Sequence, residues 1–404
     1  MSTSLLYHAF CIRGYQYLGT LYRKGRVLFR IRRHPDKLRC PACGSSDVVC
    51  RGKVRRQFHS LPIGKKPVDI QLDVQRVQCR QCGCIRQDRV DFAEPRRRHT
   101  RAFERYVVDL SKSMTMLDIA RYLDVGWDRV KDILKRHLSR RFRRIRLRAL
   151  RLIAIDEIAI GKGHKYLTIV LDLLSGAVVF VGDGKGAKAL DPFWKRLRRS
   201  KACIEAVASD MSPAYIEAVS THLPEAALVF DHFHIIKLFN DKLSDLRREL
   251  YREATEKLHK DALKGTRWLL LKAPEKLDEG RNEPARLAEA LELNKPLASA
   301  YYLKEDLRQL WAQEGKAQAQ IFLDGWLQRA QASGITMLRN FAKTLAAHRS
   351  GILAYYDFPI STGPLEGTNN KIKTLKRQAY GFRDTEFFKL RILALHETKY
   401  ALVG

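Results

Sequence analysis

Two stretches of this chain gather apolar residues and then stop on an acid. Leu152–Glu157 reads LIAIDE: Leu152, Ile153 and Ile155 suit a buried strand, with Asp156 near its end. Ile204–Asp210, IEAVASD, repeats the arrangement and delivers Asp210 to a second strand end. Around them, Tyr166–Leu171 and Ala177–Val181 read as strands joined by a turn at Ser175-Gly176. Leu190–Leu197 and Pro213–His222 carry helical spacing, Ala227–Phe230 is a strand, and a helix begins near Ile235 after Asp231-His232-Phe233-His234. The order is therefore β-β-β-α-β-α-β. Period-two alternation places Glu157 on the face opposite Asp156.

Upstream the pattern changes. RVLFRIRR alternates like a strand within the first 35 residues, and Val54–Phe58 and Val68–Val77 are strand-like runs divided by the turn LPIGKKP. Arg96-Arg97-Arg98 reads as a linker. Ile119, Ala120 and Leu123 then form one helix face, Asp124-Val125-Gly126 a turn, and Trp127, Val130, Ile133 and Leu134 a second face, which is the spacing of a helix-turn-helix or of any helical hairpin. Residues 240–355 are helical in pattern throughout; Trp268, Trp311 and Trp326 there are core residues by default, while an exposed one could stack on an unpaired base. In STGPLEGTNNKIKTLKRQ, Ser361 or Thr362 can cap a helix with Pro364 in its first turn. On that helix Glu366, Asn370, Lys373 and Arg377 share one face.

Charge narrows the partner. The 404 residues carry a formal net charge of +31 with a pI near 10.0, which implies a polyanion. Residues 1–150 hold 36 Lys/Arg and 13 Asp/Glu, a net of +23; the rest of the chain holds the other 39 and 31, a net of +8. No apolar run approaches the roughly 18–20 residues of a membrane span, and the start lacks the layout of a secretory signal. Nucleic acid is the expected partner, in an intracellular setting, with the first 150 residues as the main holding part. Arg129, Lys131, Lys135 and Arg136, with Trp127, lie on the second helix of the pair; Arg140, Arg141, Arg143 and Arg144 follow in a run of six arginines in nine residues suited to phosphate tracking.

Two kinds of metal site can be drawn from these residues. Asp156 and Asp210 on neighbouring strand ends would repel unless a cation lay between them, and magnesium takes such hard oxygen ligands; Glu366 is the candidate third acid. Cys40-Pro-Ala-Cys43-Gly and Cys79-Arg-Gln-Cys82-Gly have the paired spacing of zinc knuckles, with 35 residues between the pairs. Disulfides or unpaired thiols are the alternatives, and Cys50 and Cys84 leave the ligand set open. Cys11 and Cys203 are expected as core thiols, and His34 and His59 as surface or hydrogen-bonded residues.

Taken in order, CPACGS, CRQCG, the helix pair, AIDE, SDMSPAY, FDHFHIIK and GPLEGTNNKIKTLKR resemble the DDE transposases of the bacterial ISL-three insertion-sequence family over nearly the whole chain. The resemblance implies a multidomain α/β protein: zinc ribbon at 1–95, helix-turn-helix and basic linker at 96–150, and a ribonuclease H-like core at 151–239. An all-helical insertion at 240–355 interrupts that core, whose C-terminal helices occupy 356–404. It implies a catalytic triad of Asp156, Asp210 and Glu366 holding two Mg²⁺ or Mn²⁺, one structural Zn²⁺ on Cys40, Cys43, Cys79 and Cys82, and DNA contacts from Asn370, Lys373 and Arg377. Asp231 and His234 would brace the site. The implied activity is cleavage at terminal inverted repeats and joining of 3′ ends to target DNA, by a homodimer or larger assembly on double-stranded DNA in the bacterial cytoplasm, associated with the nucleoid and not with membrane. A ribonuclease H-like nuclease without integration and a non-catalytic DNA-binding regulator are the rival readings.

Overall fold

The structure is a computed structural model that describes residues 4–397 except 162 and 164. It divides into two compact units, one running to Arg144 and resuming at Lys376, the other spanning Ile145–Leu375.

The first unit begins with helix α1 (Leu5–Phe10) and a five-stranded sheet: β1 (Tyr15–Arg23), β2 (Arg26–Arg33), β3 (Val48–Ile63), β4 (Lys66–Cys79) and β5 (Ile85–Gln87). The order is β1-β2-β4-β3, with β5 also along β4. Val68, Ile70, Leu72 and Val74 are buried along β4 and pack with Phe10, Phe29, Phe58 and Phe92. The strands β3 and β4 run well past the apolar segments that mark them in the sequence. Beyond the core their ends are held by the ladder that carries Val48 opposite Cys79, with an irregularity between Cys50 and Lys53 where Gly52 sits at φ 113°. Asp69 is 1% exposed and receives hydrogen bonds from His59 and Arg26, while Arg26 also reaches Asp124 at 3.0 Å. Burial alone would raise this carboxyl, but the His59 and Arg26 hydrogen bonds outweigh it and hold it down at about 2. Its contribution is present above the ordinary carboxylate range and is lost as pH falls through about 2. Asp69→Asn is therefore expected to cost about 2–3 kcal/mol at neutral pH. Parallel acid-unfolding curves should show that gap narrowing from about pH 4 downward.

Three helices follow: α2 (Arg101–Leu110), capped by the Thr100 hydroxyl, then α3 (Met116–Tyr122) and α4 (Trp127–Phe142). The α3–α4 pair is the expected helix-turn-helix; Asp124, at φ 51°, makes the turn. Phe103 and Val107 of α2 complete its core, a helix that the sequence pattern left unmarked. Residues 96–98, expected as a linker, are fixed instead. His59 N–H donates to the Arg98 carbonyl, Arg56 donates to that of Arg97, and Arg97 pairs with Asp132. Trp127, grouped by spacing with the second helix face and expected among the DNA-contacting residues, is 41% exposed, and Cys11, expected in the core, is exposed.

The second unit is built on β6 (Leu152–Gly161), β7 (Lys165–Asp172), β8 (Val178–Asp183), β9 (Ala206–Ser209) and β10 (Ala227–Phe230), ordered β10-β9-β6-β7-β8. The first three are antiparallel; β9 and β10 add in parallel through α5 (Asp191–Ser200) and α6 (Pro213–His222). This is the expected ribonuclease H-like sheet. Ile153, Ile155 and Val207 pack with Phe193, Trp194, Tyr215 and Val219 of α5 and α6. Cys203, expected in the core, is exposed.

From α7 (His232–Glu253) the chain is helical: α8 (Lys257–Leu263), α9 (Arg267–Leu271), α10 (Glu283–Glu292), α11 (Lys295–Arg308), α12 (Lys316–Ala332), α13 (Thr336–Ala347) and α14 (Arg349–Leu353). Phe239, Leu243, Leu307, Leu323, Trp326 and Phe341 form its core, whereas Trp268, expected inside, is 65% exposed. The core reaches the sheet at Phe230. A Cβ on Gly351 would lie 2.4 Å from the Phe230 ring, so Gly351→Ala is expected to destabilise by about 1–3 kcal/mol through overpacking, read from denaturant midpoints.

Helix α15 (Gly363–Gln378) follows. Then α16 (Thr385–Leu393), expected with the catalytic core, packs Phe387 into the helix-turn-helix core of the first unit.

Candidate active site and zinc ribbon

Strand register brings the acids together. Ala154 on β6 is level with Ala208 on β9, and Ser209 is level with Phe230 on β10. Asp156, Asp210 and Asp231 thus lie at the same end of three adjacent parallel strands, where α/β sheets hold ligands. Alternation along β6 sends Ile155 and Glu157 to the α5–α6 side, and there the Tyr215 hydroxyl donates to Glu157 at 2.9 Å. Asp156 faces the other way and accepts from the Asn369 Nδ2 of α15 at 2.8 Å. Its carboxyl is pushed up to about 6: burial is the main cause, and the charges of Asp210 and Glu157 act in the same direction. Asp210 accepts from the Ser212 N–H at 3.1 Å, just ahead of α6.

The third acid arrives through Asp231. This residue is 2% exposed; its Oδ1 caps α7 by accepting from Phe233 N–H at 3.1 Å, and its Oδ2 accepts from Thr362, through both the backbone N–H and the hydroxyl. Thr362 is the residue whose carbonyl receives Leu365 N–H and Glu366 N–H. One buried carboxylate therefore starts two helices. The consequence is that His234, in the first turn of α7, lies with Nε2 3.8 Å from Glu366 Oε1. His234 Nε2 and Asn369 Oδ1 are buried with no hydrogen-bond partner among the described residues.

Sequence spacing pointed to Asn370, Lys373 and Arg377 on the Glu366 face. All three are exposed, and the residue turned inward is Asn369, three positions after Glu366. Both a three- and a four-residue step follow one helix face, so periodicity could not separate the two asparagines.

In the first unit the two knuckles have the same hydrogen bonds. Gly44 N–H donates to the Cys40 carbonyl at 2.9 Å and Cys40 N–H to Ser45; Gly83 N–H donates to Cys79 at 3.1 Å and Cys79 N–H to Cys84. Gly44 and Gly83 adopt φ 80° and 68°, the conformation that favours glycine. Cys40 and Cys82 Sγ are 3.6 Å apart, as are Cys43 and Cys79, and all four sulfurs lie within 4.8 Å. A tetrahedral zinc with bonds of about 2.3 Å sets sulfurs about 3.8 Å apart. The N–H groups of Cys43 and Ala42 pull the Cys40 thiol down to about 6, whereas Cys82, despite the Cys84 N–H, is pushed up to about 12 by its hydrogen bonds with Cys43 and Cys40, so the four sulfurs share protons that a bound zinc would displace. Cys50 and Cys84 are outside this group.

Comparison with known proteins places each module. A transposase model of the DDE type, ISL3 group, matches residues 153–392, more than half of the chain. The chain belongs to the ISL3 transposase family. The helix-turn-helix domain of the same family matches residues 89–138, and the zinc-finger of transposases IS204/IS1001/IS1096/IS1165 matches residues 36–82. The transposase for insertion sequence element IS1001 of Bordetella parapertussis is 33% identical over 361 residues, 88% of each chain. The transposase for insertion sequence element IS1557 of Mycobacterium tuberculosis is 32% identical over 94% of this chain and 90% of its own. A solved Drosophila P element transposase strand transfer complex aligns with a TM-score of 0.35 at 12% identity, covering 63% of this chain and 78% of that one.

The ISL3 helix-turn-helix here holds several of its cations in internal pairs. Lys131 and Lys135 of α4 meet Asp384, the N-cap of α16, at 3.0 and 2.8 Å, and Arg136 meets Glu104 of α2 at 3.0 Å. Arg141 reaches Glu397 at 3.2 Å, while Arg140, Arg143 and Arg144 are exposed. Trp127 is exposed and Arg129 half-buried at the start of α4, the end that an inserted helix presents to base edges. Among the described residues, no helix is long and apolar enough to cross a membrane.

Proposed function

We propose that this ISL3 transposase cleaves DNA at the terminal inverted repeats of its element and joins the 3′ ends to target DNA, with Asp156, Asp210 and Glu366 as the catalytic acids. The observation that carries the reading is the level register of Asp156 and Asp210 on adjacent parallel strands, with Glu366 set beside them by the Asp231–Thr362 clamp. Hard carboxylate oxygens, one with its carboxyl driven up by burial and like charge, suit Mg²⁺ or Mn²⁺. Bound metal would supply Lewis-acid stabilisation of charge on the phosphate and an activated nucleophile. The chain's own part is to hold two of the carboxylates in place, with Asn369 and the Glu157 N–H on Asp156 and the Ser212 N–H on Asp210; His234 Nε2 lies 3.8 Å from Glu366 with no hydrogen bond to it.

In this reading Cys40, Cys43, Cys79 and Cys82 hold one structural zinc, and residues 1–95 and 96–150 bind the repeats, with Trp127 and Arg129 leading α4 into the major groove and Arg140, Arg143 and Arg144 on phosphates. Residues 151–239 and 356–375 carry the chemistry, with 240–355 as the helical insertion. Asn370, Lys373 and Arg377, on the exposed side of α15, contact phosphate. The assembly on DNA is at least a dimer, because two ends must be joined to one target. The test is incubation of purified protein with labelled terminal repeats, plasmid and Mg²⁺. Metal-dependent nicking at the repeat ends and covalent joining to plasmid are expected. Cleavage without joining would favour a nuclease, and binding without cleavage a regulator.

Replacing Asp384 is expected to have opposite effects on stability and DNA binding. Asp384→Ala removes the cap of α16, costing about 1 kcal/mol, and releases Lys131 and Lys135. Binding to any duplex should then tighten at low salt and its salt dependence should steepen by about one to two counterions. Fluorescence anisotropy against salt concentration measures this.

A further inference from the structure

We infer that Asn369 is a positioning residue for metal at this site: its amide orients the Asp156 carboxylate and ties it to the helix that carries Glu366. The inference rests on the acid-site reading above. Asn369 is 7% exposed, and its Nδ2 donates to Asp156 Oδ2 at 2.8 Å across 213 residues of sequence. The other Asp156 oxygen, Oδ1, is held by the Glu157 N–H at 2.7 Å. Each oxygen thus has one protein donor, which fixes the plane of the carboxylate while leaving further lone pairs for a cation. Asn369 lies between Thr368 and Ile372 on the buried side of α15, one turn from Glu366. An α15 that shifted along its axis would move Glu366 and release Asp156 together.

The amide is also an unusual choice for this position. Its Oδ1 is buried with no partner among the described residues, at a cost of about 1–3 kcal/mol for an unmet acceptor. An apolar side chain would leave no unmet acceptor, so packing alone does not account for asparagine. A carboxylate that must present fixed oxygens to a cation does account for it, because groups that orient metal ligands typically govern about 10–100-fold in metal affinity.

The experiment uses the full-length protein without DNA, and Mn²⁺ alone as the probe, with binding followed by calorimetry and by the paramagnetic relaxation of water. Asn369→Leu removes the donor and keeps the branching at Cγ, in a bulkier side chain. Asn369→Ala removes it without adding bulk, and answers the same question should leucine disturb α15. Both are expected to melt within a few degrees of wild type and to bind terminal repeats normally. Their Mn²⁺ midpoint should rise about 10–100-fold, and cleavage should recover substantially at saturating metal. A purely structural residue would change melting and leave the midpoint alone. A midpoint within twofold of wild type in both variants, alongside loss of Mn²⁺ binding in Asp156→Asn, would overturn the role of Asn369 while leaving the acid site standing. Unchanged Mn²⁺ binding and cleavage in Asp156→Asn would overturn both.

Discussion

Asp156→Asn is expected to lower cleavage and strand transfer by roughly a thousandfold or more while making the metal-free protein more stable. The loss follows from removing a charged ligand from a site whose chemistry is charge stabilisation of phosphoryl transfer, where positioned charge supplies most of the rate. The gain follows from the resting state. The Asp156 carboxyl is raised to about 6 from an ordinary value of 3.8, chiefly by burial. A raised carboxyl contributes stability that is fully present below about 4 and is lost as pH rises through about 6. At pH 7.5 the metal-free wild type therefore carries an ionised group it would rather keep protonated, at a cost of up to about 3 kcal/mol. Asparagine removes that cost, less whatever is lost at the Asn369 contact. Melting curves without metal at pH 7.5 and pH 4 should show the variant ahead at the higher pH and level at the lower. A variant that is both active and less stable at pH 7.5 would count against the site.

Cys79→Ser is expected to strip the zinc and, with it, binding to the terminal repeats, leaving the second unit folded. Cys79 ends β4, pairs with Val48 across the ladder and closes its knuckle through Cys84 and Gly83. This end of the ribbon lies beyond the apolar core of the sheet, so zinc is its main source of order. Apparent zinc binding in small thiolate domains is worth about 10–16 kcal/mol, far more than the hydrogen bonds left behind. Elemental analysis should give one zinc per chain in the wild type and little in the variant. Hydrogen exchange should rise around Val48–Cys50 and Gln78–Ile85 but not in β6, β9 or β10. Full zinc content with normal repeat binding in the variant would contradict the assignment.

How much of this was legible before any coordinates can be seen residue by residue. The strand ends at Asp156 and Asp210 were readable because buried parallel strands leave near-continuous apolar runs. The knuckles were readable because a two-residue spacing followed by glycine has few other uses. What the sequence concealed were consequences of tertiary contact. Asn369 and Asn370 both satisfy helical periodicity, and only the position of β6 selects between them. Lys131 and Lys135 read as groups free for DNA because Asp384, which engages them, is about 250 residues away. Arg96–Arg98 looked like a linker because no local pattern shows that β3 holds its backbone. Residues 376–397 looked like the end of the catalytic core because α15 leads straight into them, yet Phe387 supplies the helix-turn-helix with core that α3 and α4 are too short to provide alone. Residue type places Trp268, Cys11 and Cys203 in cores, and residue type is a weak guide for single apolar positions at a surface.

The most direct test of the central assignment is anomalous diffraction from crystals of the protein bound to terminal-repeat DNA and Mn²⁺. The account predicts two peaks about 3.5–4 Å apart, with Asp156 between them, Asp210 on one and Glu366 on the other. No peak near these carboxylates, or manganese held instead by Asp231 and His234, would contradict it.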